Sequence, residues 1–241
     1  MKRSHFPQSL FLTGALAVSL LGCVDSADSL LILRNQQPGN DCVIPDGKNA
    51  LFISRGIIDV TNLGQTNGYL FTPIVLSRTE GNQVSDRLVV IRGANVDLGF
   101  IDGVFSGSEL SQLKAEGNSR FIQEFSGTIE AGGTSTFAFN IIPRATLQAI
   151  SNKLGNGEST RVLAEIEIVG ELDGNSVSSS VFRYPVDVCK GCLVNTIGAC
   201  SEVPSSFDVS EGGVCQTMQD GVVDCCTEEG GGLRCPANSS E

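Results

Sequence analysis

The chain has 241 residues, 41% of them hydrophobic and 18% charged. That composition excludes disorder throughout, and the 28 glycines carry no triplet period of a collagen-like chain. A net charge of −11 argues against nucleic acid as a partner and against attachment to membranes by basic residues.

Lys2 and Arg3 precede an apolar stretch from Leu10 to Leu21. It is short for a transmembrane helix and has the proportions of a secretory signal. It runs into Leu20-Leu21-Gly22-Cys23, which resembles a bacterial lipobox, the cleavage motif whose closing cysteine becomes lipidated. The plainer alternative is an ordinary signal peptide that contains a cysteine. The resemblance implies that residues 1–22 are removed, that the sulfur of Cys23 carries a diacylglycerol, and that the new N-terminus is acylated. One acyl chain binds a membrane only marginally, at about 0.8 kcal/mol per buried methylene, whereas several hold firmly. Val24, where an Asp would favour the inner membrane, implies the outer membrane, facing the periplasm or the cell surface. The expected partners are the membrane, through Cys23, and an envelope protein. Loss of Lys2, Arg3 and His5 moves the net charge to −13 and removes the one histidine.

After a tether at 23–27, residues 28–188 read as one domain of strands separated by turn residues. Leu30 to Leu33 is a short apolar run ended by Pro38-Gly39-Asn40. Leu51, Ile53, Ile57, Ile58 and Val60 make a second strand with a break at Gly56. Tyr69 to Leu76 makes a third, with Pro73 marking an edge or bulge. Leu88 to Ile91 leads to Gly93, after which Val96, Leu98 and Phe100 alternate with polar residues, the pattern of a strand with one wet face. Ser108 to Glu116 is a candidate short helix. Phe121 and Phe125 share a face, as do Phe137, Phe139 and Ile141. Pro143 to Leu154 is the better helix, with Leu147, Ile150 and Leu154 on one side and Gly155 as the stop. Val162, Ala164, Ile166 and Ile168 then alternate with Glu165 and Glu167. Asp173-Gly174 is a hairpin signal leading to Phe182, Tyr184, Val186 and Val188. About seven to nine such strands predict an all-β fold, an antiparallel immunoglobulin-like β-sandwich with one or two short helices. Residues 189–241 follow as an irregular, disulfide-rich tail.

Ile32 to Pro38, Cys42-Val43-Ile44-Pro45, the Tyr69-x-x-x-Pro73 run and the cysteine tail together resemble cysteine-tailed envelope lipoproteins of Gram-negative bacteria, a likeness that implies no activity. With Cys23 lipidated, eight cysteines remain: Cys42, Cys189, Cys192, Cys200, Cys215, Cys225, Cys226 and Cys235. Seven lie in the tail, an odd number, so Cys42 is expected to pair with one of them. The adjacent Cys225 and Cys226 are not expected to pair with each other. Cys189-Lys190-Gly191-Cys192 also has the spacing of a redox motif or half a zinc site. An exported chain favours structural disulfides instead.

Catalysis finds little support. A mature chain without histidine has no Ser-His-Asp or Cys-His arrangement. Asp97, Asp102, Glu124, Glu165 and Glu167 could serve a carboxylate-only hydrolase, but Glu165 and Glu167 read as a solvated strand face. Asp102-Gly103 and Asp173-Gly174 read as turns, not calcium loops. No catalytic residue, metal or cofactor is expected. The leading expectation is a lipid-anchored structural or binding protein; the alternatives are that hydrolase and a disulfide-stapled inhibitor in the tail.

Overall fold

The computed structural model describes residues 29–39, 42–45, 50–79, 88–204 and 208–236. The signal segment, the lipobox, Cys23 and the tether lie outside the described residues. Among the described residues the protein is mostly β, with two short α-helices.

The strands are β1 (Leu30–Asn35), β2 (Gly56–Asp59), β3 (Gly68–Phe71), β4 (Pro73–Ser77), β5 (Leu88–Phe100), β6 (Arg120–Glu130), β7 (Thr134–Thr136) and β8 (Phe139–Pro143). They continue with β9 (Ser159–Leu172), β10 (Asn175–Ser178), β11 (Phe182–Cys189), β12 (Val194–Ala199), β13 (Val223–Thr227) and β14 (Leu233–Arg234). The helices are α1 (Gly107–Ala115) and α2 (Arg144–Ser151). The largest sheet runs β2-β11-β9-β5-β6, with β10 also on β9. The other sheets are β1-β4-β7, β3-β8 and, in the tail, β12-β13-β14.

Strand β9 is the axis of the large sheet, and its sequence explains why. From Thr160 to Gly170 every even-numbered residue is buried and every odd-numbered one is partly exposed. One face therefore joins the core while the other stays wet. The hairpin from β9 to β10 turns on Asp173 and Gly174, with φ of 51° and 78°. Two positive φ values are what a two-residue type I′ turn demands, and Asp-Gly supplies them at least cost. The sequence pattern leads this hairpin directly into the Phe182 strand. Instead β10 pairs with residues 169–172 and β11 with residues 159–166, so the two share one flank of β9.

Two sequence-derived strands prove to be one, and one proves to be two. Leu88 to Phe100 is continuous, with a bulge at Arg92. There Gly93 takes φ 154°, and a Cβ on it would stand 2.4 Å from the carbonyl oxygen of Gln123. Tyr69 to Leu76 divides at Thr72 into β3 and β4, which join different sheets. Pro73 can open β4 because its missing N–H is not needed there. Helix α1 begins one residue before the expected Ser108, with Ser106 and Glu109 forming a reciprocal capping box. Helix α2 starts after Pro143 and buries Leu147 and Ile150.

One buried cluster links the inner face of the large sheet to β1, β3, β4, β8 and α2. Aromatic rings knit the layers. Phe125 stacks on Phe139 at 4.4 Å between centroids, and Phe71 lies 5.1 Å from Tyr184. The tail is less irregular than its composition implies. Its three short strands enclose a small core of Met218, Val223, Cys225 and Cys235. Residues 218–220 of the tail also reach the body. The N–H of Asp59 donates to the carbonyl of Met218, and the N–H of Asp220 to that of Ile57, both at 2.9 Å. These bonds cover the outer edge of β2.

Candidate functional site

The outer face of the large sheet carries a ladder of polar residues placed by strand register. On the first rung Arg183, Glu165, Asp97 and Arg120 lie side by side on β11, β9, β5 and β6. Arg183 Nε donates to Glu165 Oε1 at 2.8 Å, and Arg120 Nε donates to Asp97 Oδ2 at 2.7 Å. On the next rung Glu167 lies opposite Asn95, and Asn95 opposite Ile122. Asn95 Nδ2 donates to Glu167 Oε2 at 3.0 Å. Val181 and Ile122, 53% and 66% exposed, flank the rungs. Asn95, Asp97, Arg120, Glu165 and Glu167 line, with Ile122 and Val181, an open depression of about 390 Å³.

Of the five carboxylates singled out from sequence, three meet here: Asp97, Glu165 and Glu167. Glu124 sits on the same strand as Ile122, opposite Gly93. Asp102 lies in the turn after β5 and accepts a hydrogen bond from the N–H of Arg161 at 2.8 Å. Asp97 and Glu165 are 39% and 40% exposed, and each accepts from an arginine. Exposed pairs of this kind add at most about 1 kcal/mol each to stability.

A second cluster surrounds the Cys189–Cys192 motif. Asp59, buried at the end of β2, stands opposite Cys189 on β11. Its Oδ1 accepts from Thr61 N at 2.9 Å, Thr61 Oγ1 at 2.6 Å and Gly191 N at 3.0 Å, and its Oδ2 from Leu193 N at 2.9 Å. One carboxylate oxygen and the two Sγ atoms lie within 4.8 Å of one another. Reduced, these three groups could offer two sulfurs and an oxygen to a cation. Joined, the two sulfurs close a loop that the carboxylate pins through its backbone N–H groups. A reactive thiolate needs positive charge or a helix N-terminus beside it. Here the neighbour is a carboxylate, and the chain continues into β12, a strand. Nothing in the sequence around Asp59 marked it as this motif's partner, 132 residues away from Gly191.

A third cluster is buried and equally invisible to motif reading. Tyr69 OH donates to Asp220 Oδ2 at 2.8 Å and lies 3.1 Å from Tyr184 OH. Asn35 Nδ2 donates to Tyr184 OH at 2.9 Å, and Ile57 N donates to Asp220 Oδ1 at 2.8 Å. Gln219 clamps the backbone of Leu70, accepting from its N–H and donating to its carbonyl, both at 2.8 Å. Burial pushes the Tyr184 hydroxyl up to about 12, and burial with the nearby Asp220 charge raises Tyr69 well above its ordinary value. Burial likewise raises the Asp220 carboxyl, against the pull of its hydrogen-bond donors.

These shifts make a testable pH dependence. Both tyrosines keep their protons in the fold at a pH where the unfolded chain has lost them. Their contribution is therefore complete below about pH 10 and is lost as pH rises toward 12, with a slope near 2.7 kcal/mol per pH unit where both are involved. The chain has two tyrosines and no tryptophan. Tyrosinate absorbance near 295 nm should therefore stay flat through pH 10 and rise together with loss of the circular dichroism signal. Two independent titrations near pH 10 in the folded protein would contradict the buried network. The raised Asp220 carboxyl acts in the opposite range. It costs stability as pH rises from about 3.8 through its elevated value, so Asp220→Asn should flatten that fall.

The cysteines form four pairs at disulfide distance. Cα separations are 5.2 Å for Cys42 and Cys215, 5.9 Å for Cys189 and Cys192, 4.8 Å for Cys200 and Cys226, and 4.2 Å for Cys225 and Cys235. Among the described residues no helix is long and apolar enough to cross a membrane. No protein-family model matches the chain, and a search of curated proteins finds no relative.

Proposed function

We propose that this is a lipid-anchored cell-envelope protein that works by binding. It is tethered to the outer membrane through Cys23, faces the periplasm or the cell surface, and has no catalytic step of its own. The observation that carries the binding reading is the ladder on the outer sheet face. Its first rung pairs Arg183 with Glu165 and Arg120 with Asp97, and it leaves Ile122 and Val181 bare at the margin of an open depression. Exposed apolar residues rimmed by polar ones are what an interaction surface offers. The four cysteine pairs suit an oxidising compartment; as disulfides, Cys42–Cys215 would fasten the tail to the body and the other three would close loops within residues 189–241. An immunoglobulin-like sandwich remains our reading of the architecture, supported by long antiparallel strands facing β1-β4-β7 across a shared core. The parallel pairing of β2 with β11 is the feature to weigh against it.

The anchor rests on Leu20-Leu21-Gly22-Cys23. A fatty-acid analogue should label the wild-type protein and leave Cys23→Ser unlabelled, with only the former entering the detergent phase. Equal labelling of both would overturn the anchor. For the binding face, capture from the native envelope should recover a partner with the wild-type protein and lose it with Ile122→Lys combined with Val181→Glu. Retention of the same partner by that double variant would move the surface elsewhere.

A further inference from the structure

The two edges of the large sheet are treated differently. The outer edge of β2 is closed by the backbone of Met218 and Asp220. The other edge is β6, eleven residues from Arg120 to Glu130, and among the described residues no strand pairs with its outer side. Edge strands are usually kept apart by shortness, proline or lysine, because their free N–H and C=O groups form a template for another strand. Strand β6 is long and has neither proline nor lysine. Its bulge lies on the inner side, where Phe125 and Ser126 together face Arg92 of β5. The alternation itself is unbroken. Odd-numbered residues from Phe121 to Ile129 turn inward, and even-numbered ones from Arg120 to Glu130 are exposed.

We propose that β6 pairs antiparallel with β6 of a second copy of this chain, centred on Phe125, so that one sheet runs through both molecules. The sequence Arg-Phe-Ile-Gln-Glu-Phe-Ser-Gly-Thr-Ile-Glu is self-complementary in that register. Arg120 then faces Glu130 of the second copy, and the two-fold axis repeats the pair. Ile122 faces Thr128, and Glu124 faces Ser126. On the inner side Phe121 faces Ile129, and Phe125 meets its own copy. A register two residues shorter sets Glu124 against Glu124. One two residues longer carries Arg120 beyond the end of the strand. A shift by one residue turns the inner face outward. A two-fold axis is the commonest symmetry of soluble dimers, and shared backbone bonds with alternate side-chain contacts are the general mode of strand addition.

The test is a charge exchange read by mass. The full-length protein is purified in detergent, and its mass is measured by sedimentation at matched detergent density. At roughly 100 µM, a dimer with a dissociation constant near 10 µM is mostly assembled. Wild type is expected at two chains. Glu130→Arg sets a second arginine against Arg120 at both ends of the paired strands and should weaken association roughly tenfold or more. Arg120→Glu sets two glutamates together, with the same expected result. Mixed, the two variants restore both opposite-charge pairs, and a two-chain particle containing one of each should return. A one-chain mass for wild type, an undiminished Glu130→Arg dimer, or a mixture that stays at one chain would each overturn the proposal. Wild-type circular dichroism for Glu130→Arg keeps the result independent of Arg120→Glu, whose loss of the Asp97 contact disturbs the fold separately. Lipid labelling at Cys23 and partner capture tested by Val181→Glu alone stand apart from this readout, because neither residue lies on β6.

Discussion

Replacing Cys42 and Cys215 together by serine is expected to remove about 5 kcal/mol of stability in the oxidised protein. The two residues are 173 apart in sequence, so the bond between them would restrict most of the unfolded chain. Loop entropy grows slowly with length, but a loop this long lies near the top of its range. Domains of ordinary stability have about 5–15 kcal/mol in total, so the loss would be a large fraction. It should appear with little change in the native spectrum. Residues near Cys215 remain docked through the Gln219 clamp on Leu70 and the Asp220 contact with Tyr69. Denaturant midpoints of wild type and the double serine variant, both without reductant, make the comparison. Coincident midpoints would show that the two thiols do not form this bond.

Ile166→Asp should be as severe, on the order of 4 kcal/mol, or should prevent folding. Ile166 is fully buried in the middle of β9, between Val96 on β5 and Phe182 on β11. A carboxylate there would enter an apolar layer between Val96 and Phe182. Glu165→Lys, one residue earlier, should cost less than about 1 kcal/mol. That side chain points to the wet face, where the variant loses its Arg183 partner but stands beside Asp97, an opposite charge already next to position 165. Thermal unfolding of the pair decides the face assignment, and equal losses would overturn it.

How much was legible in the sequence follows from the range of each interaction. The alternation of Val162, Ala164, Ile166 and Ile168 records burial directly, residue by residue, and so do Leu147 and Ile150 on α2. The turn at Asp173-Gly174 is local chemistry and was readable as such. The division of Tyr69 to Leu76 at Thr72 was not, because it depends on two separate sheets claiming adjacent segments. The tail strands were hidden for another reason. Their core contains two cysteines among its four residues, so a cysteine pair stands where the apolar period that marks a strand would be. Parity directed Cys42 toward the tail, but only the fold places it beside Cys215. Within the outer-face ladder the acids were legible as a wet strand face. Their arginine partners Arg120 and Arg183 come from strands 23 and 18 residues away and needed the register. Asp59 and Asp220 are longer-range still, and no local pattern announces either.

The spacing of Cys42 and its neighbour has a consequence for the order in which the chain is finished. As synthesis proceeds from the N-terminus, Cys42 emerges second, after Cys23, and the next thiols after it are Cys189, Cys192 and Cys200. Its neighbour Cys215 comes later than all three. An oxidant acting on thiols as they appear would therefore join Cys42 to the wrong one. Two routes avoid that trap. The body can assemble first and hold Cys42 away, or a catalyst can reshuffle an early bond. Either way the segment from Cys215 to Asp220 governs when β2 is closed, because the strip that covers its edge arrives with it. A nascent chain stopped before residue 215 should carry a trappable Cys42 thiol or a mispaired one, and should depend on thiol–disulfide exchange over seconds to hours once released.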